Sequence, residues 1–206
     1  GGNIITTGTK TFQTTDTLEF AGSTAQITGD SLPFIAPCII TINNSNGVTL
    51  SRNHRASSTL RLLNGSLNLG NFDLTIPNSG IILNFNQDRF INTNGTGSLR
   101  MPTGFTTYTL PIGYNTYAPL RILHNGFDTL SYRVSDLIPS ALPRDTSYAV
   151  KKVWHVIEQT PGGSTAYLQP MWLMTDVGSN FNAFDRGAVA KYNSSTLSYE
   201  PKSGSF

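Results

Sequence analysis

Three histidines and one cysteine stand among the 206 residues, with 12 acidic side chains and 14 Lys+Arg. These are the groups from which acid–base, nucleophilic or metal chemistry would have to be built. His54, His124 and His155 show no His-x-x-x-His or similar ligand spacing, and no acidic cluster flanks them. His155 follows Trp154 on an alternating run, so it faces the opposite way and is expected as an exposed strand histidine. His54 lies in Ser51-Arg52-Asn53-His54-Arg55, which reads as a polar insertion loop, with a contact patch as the functional alternative. Cys38 sits in the apolar run Ile35-Ala36-Pro37-Cys38-Ile39-Ile40 with no local base, so it is expected as a small buried hydrophobe. A single cysteine excludes an internal disulfide framework and a cysteine-based zinc site.

Cleavage of acidic glycans is the enzyme chemistry that most needs testing in a β-rich chain. It calls for clustered aspartates that bind calcium or act as acid and base. Between Ile39 and Met101 only Asp73 and Asp88 are acidic, and their separation does not match a repeat of about 20 residues that would align them. Glu158, Asp176 and Asp185 fall in or near turns with no paired partner at a recognisable spacing. Asp185-Arg186 reads as a local ion pair or a loop fixture. No Gly-x-Ser-x-Gly, His-Glu-x-x-His or phosphate-cradling glycine loop occurs. No catalytic, cofactor-binding or metal-binding residue is therefore assigned, no cofactor is expected, and the chain is not expected to be an enzyme.

Composition points the same way. Thr (26), Ser (20) and Asn (18) make up 64 residues, whereas charged residues are only 13% and the formal net charge is +2. A near-neutral chain lacks the basic stripe that phosphate neutralisation requires, so nucleic acid is not an expected partner. No run of about 18 apolar residues occurs, so membrane insertion is not expected. No basic segment followed by an apolar stretch opens the chain, so any export signal is expected to have been removed or to lie outside these residues. Abundant Thr and Ile with few charged helix formers favour an all-β fold.

The elements that must carry these residues are short strands. Apolar pairs separated by one residue recur at Leu18/Phe20, Ile40/Ile42, Leu60/Leu62, Ile81/Leu83 and Leu99/Met101. A second series runs through Ala25/Ile27, Val48/Leu50 and Leu67/Leu69, and a third appears at Leu74/Ile76. Each pair marks the inward face of a strand, because side chains alternate with period two. Asn46-Gly47, Asn64-Gly65, Gly70-Asn71 and Asn94-Gly95 supply left-handed corners. A period near 20 with Thr, Asn and Ser facing outward predicts a parallel β-solenoid over residues 1–101. An antiparallel meander with Asn-Gly hairpins is the alternative.

Beyond Met101 the tyrosines and both tryptophans concentrate, and the strand-like runs lengthen. Strands are expected at 106–112, 118–123, 130–134, 149–158, 166–175, 187–192 and near 197–200, the pattern of an antiparallel β-sandwich over residues 102–206. With Trp154 inward, Lys152 is expected to bury its stem and keep its ammonium in water, and Trp172 to pack across from Trp154. Tyr108, Tyr114 and Tyr117 gather near the junction. They are read as a cap on the last coil, or else as rings for stacking on sugars.

Lys152-Val153-Trp154-His155-Val156-Ile157-Glu158-Gln159-Thr160-Pro161-Gly162-Gly163 resembles a segment of large Bacteroidetes surface proteins. So do Leu168-Gln169-Pro170-Met171-Trp172 and Val189-Ala190-Lys191-Tyr192, and the upstream Asn64–Ile76 stretch is similar to their β-helical repeats. Lys151-Lys152 stands where Arg-Thr is usual, Pro170 interrupts the Leu-Gln-Trp strand, and no C-terminal sorting signal is recognisable. Ser205-Phe206 is read as a cut within a longer chain. The resemblance implies cargo of the type IX secretion route: an adhesin-like, non-catalytic module on the cell surface. Its implied partners are neighbouring modules or copies, glycans and the outer-membrane secretion machinery. The alternative is a secreted carbohydrate-binding or carbohydrate-degrading protein.

Overall fold

The computed structural model describes residues 11–29, 34–36, 38–56, 58–136, 146–160, 162, 165–182, 189–193 and 198–202. The first half is a parallel β-solenoid of four coils, and each coil contributes one strand to each of three sheets. The first sheet stacks β1 (Thr17–Phe20), β4 (Ile39–Asn43), β7 (Thr59–Asn64) and β10 (Ile81–Leu83). The second stacks β2 (Gln26–Ile27), β5 (Val48–Thr49), β8 (Leu67–Asn68) and β11 (Ile91–Asn92). The third stacks β3 (Ile35–Ala36), β6 (His54–Ala56), β9 (Leu74–Thr75) and β12 (Leu99–Thr103). Every pairing among these strands is parallel, so the solenoid holds and the meander does not.

Register makes the core. Leu18, Ile40, Leu60 and Ile82 stand over one another in the first sheet, and Val48, Leu67 and Ile91 in the second. Ile42, Leu60, Leu62, Leu69 and Ile91 are fully buried. Each such side chain contributes roughly 1.5–3 kcal/mol when taken out of water. The corners must be tight to allow this stacking. Gly65 has φ +70°, and a Cβ there would lie 1.9 Å from Asn44 O on the preceding coil. Gly95 solves the same problem differently. It is absent from the left-handed residues, contrary to expectation, but a Cβ would meet Gly70 O at 2.3 Å.

Three apolar pairs sit otherwise than their alternation suggested. Ile82 faces the core, while Ile81 and Leu83 are 49% and 38% exposed. With three consecutive apolar residues, alternation carries no phase. In the first coil Gln26 and Thr28 turn inward and Ile27 outward, because partners on the next coil satisfy the polar pair. Leu99 and Met101 do not extend the Leu18 series; Leu99 stacks on Leu74 in the third sheet.

Beyond the fourth coil the ladders continue and the chain direction changes. β14 (Ile112–Tyr114) adds a fifth parallel strand to the second sheet, and β15 (Thr116–Tyr117) turns back on it. β17 (Asp128–Ser135) pairs antiparallel with β12, and β18 (Val153–Glu158) pairs antiparallel with β17. The third sheet therefore runs from His54 through Leu74 and Leu99 to Tyr132 and Val156 without a break. The boundary expected after Met101 falls inside β12. β13 (Thr107–Leu110), β16 (Leu120–His124) and β19 (Ala166–Pro170) make a separate antiparallel sheet, and β20 (Val189–Asn193) pairs with β21 (Ser198–Lys202). Pro170 closes β19 on an outer strand, where its missing N–H costs no ladder bond to a further strand. Residues 149–152 and 171–175 lie outside the strands expected to contain them. One apolar cluster reaches from Phe20 to Val134.

Candidate functional site

Asparagine columns cover the outside of the coils. Asn92 donates through Nδ2 to Asn68 Oδ1 at 2.9 Å, and Asn115 N donates to Asn92 Oδ1 at 3.0 Å. Below them Asn68 Nδ2 lies 3.5 Å from Thr49 Oγ1. A second column runs through Asn53 Oδ1, which accepts from Asp73 N, and Asp73 Oδ1, which accepts from Ser98 N, both at 2.9 Å. Asp73 also pairs with Arg100 at 2.6 Å. Its carboxylate therefore ties one coil to the next.

His54 and His155 depart from expectation. His54 belongs to β6, is 1% exposed, and places Nε2 3.2 Å from Thr28 Oγ1, so the insertion loop is replaced by a buried strand. His124 is fully buried, with Nδ1 3.3 Å from Thr103 O. His155 is half-buried, its Nε2 3.0 Å from Ser135 Oγ. Burial, and secondarily the Arg133 guanidinium, hold its pKa below the ordinary value. Cys38 is fully buried, and that burial pushes its thiol up. Asp88 N donates to Asn86 Oδ1 in a tight turn, and Glu158 Oε2 accepts from Gly162 N. Asp185-Arg186 lies outside the described residues. Among the described residues, no group of three His, Cys, Asp or Glu side chains is placed to hold a metal.

The three junction tyrosines are all partly buried. Tyr108 and Tyr114 pack on the core, and Tyr117 lies 5.7 Å from the Phe90 ring, its phenol pushed up by burial. The open rings are others. Phe105 and Phe127 are 62% and 77% exposed and meet edge to face at 5.0 Å. Phe127 borders a shallow groove of about 340 Å³ with Asn78, Pro102, Asp128 and Thr129. Gly104 makes room for that ring, because a Cβ there would come within 2.6 Å of it. Alternation could not have singled these two phenylalanines out, since both lie in turns.

The densest polar cluster surrounds Lys152. Its side chain is 3% exposed, so the ammonium is not in water as expected. Nζ donates to Tyr114 O at 2.8 Å and to Asp136 Oδ1, and lies 3.3 Å from Asp176 Oδ1. Asp176 is 5% exposed and accepts from Thr116 Oγ1 at 2.6 Å and Leu173 N at 3.3 Å. It thus has partners that its sequence position did not suggest. Beside it, Trp154 donates through Nε1 to Ala118 O and packs 6.4 Å from Trp172, as anticipated, with Phe181 beyond. The sequence held half of this signal. A lysine on the face of Trp154 and Val156 needs a carboxylate partner, but nothing in the spacing says which.

No family model, curated protein or solved structure matches this chain.

Proposed function

We propose that this chain is a non-catalytic structural and adhesive module of a secreted bacterial cell-surface protein, of the kind exported by the type IX route. In this reading residues 1–101 form a stiff stalk, and residues 102–206 complete a β-sandwich cap. The observation that carries it is the uninterrupted third sheet, in which His54, Leu74, Leu99, Tyr132 and Val156 stand rung over rung from the solenoid into the antiparallel strands. A sheet continuous across that change of direction passes load through backbone hydrogen bonds and leaves the last coil no open edge there. The engagement of Asp73 by Arg100 supports the non-catalytic part of the reading. The resemblance of the Lys152–Gly163 segment to Bacteroidetes surface proteins supports the location. Incubation with a panel of acidic and neutral polysaccharides tests it: viscosity and reducing-end count should stay constant, and a steady fall in viscosity would refute it.

A second reading, glycan binding, is favoured by the exposed Phe105–Phe127 pair beside the Asn78, Asp128 and Thr129 groove. A ring face with flanking amide, carboxylate and hydroxyl groups suits a sugar's apolar face and its hydroxyls. Affinity electrophoresis in polysaccharide gels separates the two. Retardation of the wild type that is lost in Phe127→Ala supports glycan binding, and equal mobility in every gel rejects it.

A further inference from the structure

We propose that Lys152 and Asp136 condense spontaneously into an amide cross-link, with Asp176 carrying the proton. The proposal rests on the placement of the three side chains and does not depend on the adhesive reading. Ser135 and Val153 are the last paired residues of β17 and β18, so Asp136 and Lys152 are the next two facing positions on that antiparallel ladder. The two backbones hold the side chains opposite one another before any side-chain ordering is needed. The Lys152 side chain is 3% exposed and its Nζ already touches Asp136 Oδ1, while Asp176 Oδ1 waits at 3.3 Å on the other side. Thr116 Oγ1 donates to that same Oδ1 and Leu173 N to Oδ2, which fixes the Asp176 carboxylate.

The reactive form is a neutral Lys152 amine beside a neutral Asp136 carboxylic acid, reached by passing one proton from Nζ to the carboxylate along the hydrogen bond that already joins them. The Nζ lone pair adds to Asp136 Cγ and a C–N bond forms. Asp176 takes a proton from the nitrogen and returns it to a departing carboxyl oxygen. The Cγ–O bond breaks and one water leaves, with no oxidation, reduction or co-reactant. The Asp136 side chain is 46% exposed, which opens a path for that water. Fixed geometry lowers the barrier, since well-oriented intramolecular pairs reach effective concentrations on the order of 10⁵ M or more.

Denaturing intact-mass spectrometry of the folded 206-residue chain tests this directly. The expected mass is one water below the sequence mass, and a protease digest should give a branched peptide joining positions 136 and 152. Lys152→Arg and Asp136→Ala should restore their full sequence masses. Asp136→Asn should form the same amide with loss of ammonia, and Asp176→Ala should leave the uncondensed mass. Full sequence mass in wild-type protein with a β-type circular dichroism spectrum overturns the proposal. So does a water loss that persists in Lys152→Arg. Either failure leaves the polysaccharide and adhesion tests unaffected.

Discussion

Asn92 and Asn68 occupy equivalent positions on successive coils, and the amide of the first donates to the carbonyl of the second at 2.9 Å. Asn92 Oδ1 also accepts from Asn115 N, so one side chain joins three levels of the stack. Asn92→Ala removes both bonds and should lower unfolding free energy by about 1–2 kcal/mol. Urea denaturation followed by circular dichroism measures this. An unchanged midpoint would mean the column is decorative.

Gly65 and Gly70 both have positive φ, but their surroundings differ. A Cβ at Gly65 meets Asn44 O at 1.9 Å, whereas one at Gly70 meets nothing within 4 Å. Gly70→Ala should cost about 1–2 kcal/mol for the left-handed backbone alone. Gly65→Ala must also push two coils apart, and should cost about 3 kcal/mol or more. Equal losses in thermal or chemical melts would contradict this coil geometry.

Thr41 is 3% exposed, and its Oγ1 has no hydrogen-bond partner among the described residues. Valine keeps the shape and removes the buried hydroxyl. Thr41→Val should therefore be neutral or stabilising by about 1 kcal/mol. A clear loss of stability would show that the hydroxyl has a partner after all.

His155 gives a pH dependence of definite sign. Its folded pKa lies below the ordinary 6.5, first from burial and then from Arg133. The unfolded chain consequently binds the proton more readily, and stability falls as pH drops below about 6.5, levelling off below the folded pKa. His155→Gln should show a shallower loss than wild type between pH 7.5 and about 5. Parallel pH profiles from the two proteins would refute that assignment.

Much of the solenoid was legible because stacking repeats a simple demand: an apolar pair inward, a polar residue outward, a small residue at the corner. Ile40/Ile42 and Leu60/Leu62 are buried as that demands, although Thr41, between the first pair, is buried with them. Legibility failed where alternation lost contrast, as at Ile81-Ile82-Leu83, or where polar residues went inward because another coil satisfied them. Thr28 against His54 is such a case. The strands after Met101 were visible as strands, but the docking of β17 on β12 is a long-range choice that local pattern does not encode. Lys152 was misplaced for the same reason, since its carboxylates come from the far end of β17 and from a separate turn.

The proposed adhesive role is tested most directly by beads coated with the 206-residue chain and held on bacterial or polysaccharide-coated surfaces under increasing flow. Beads should stay attached at shear that strips uncoated controls, with no soluble sugar released over time. Detachment at the control shear, or attachment accompanied by a rising yield of sugar fragments, would contradict the account.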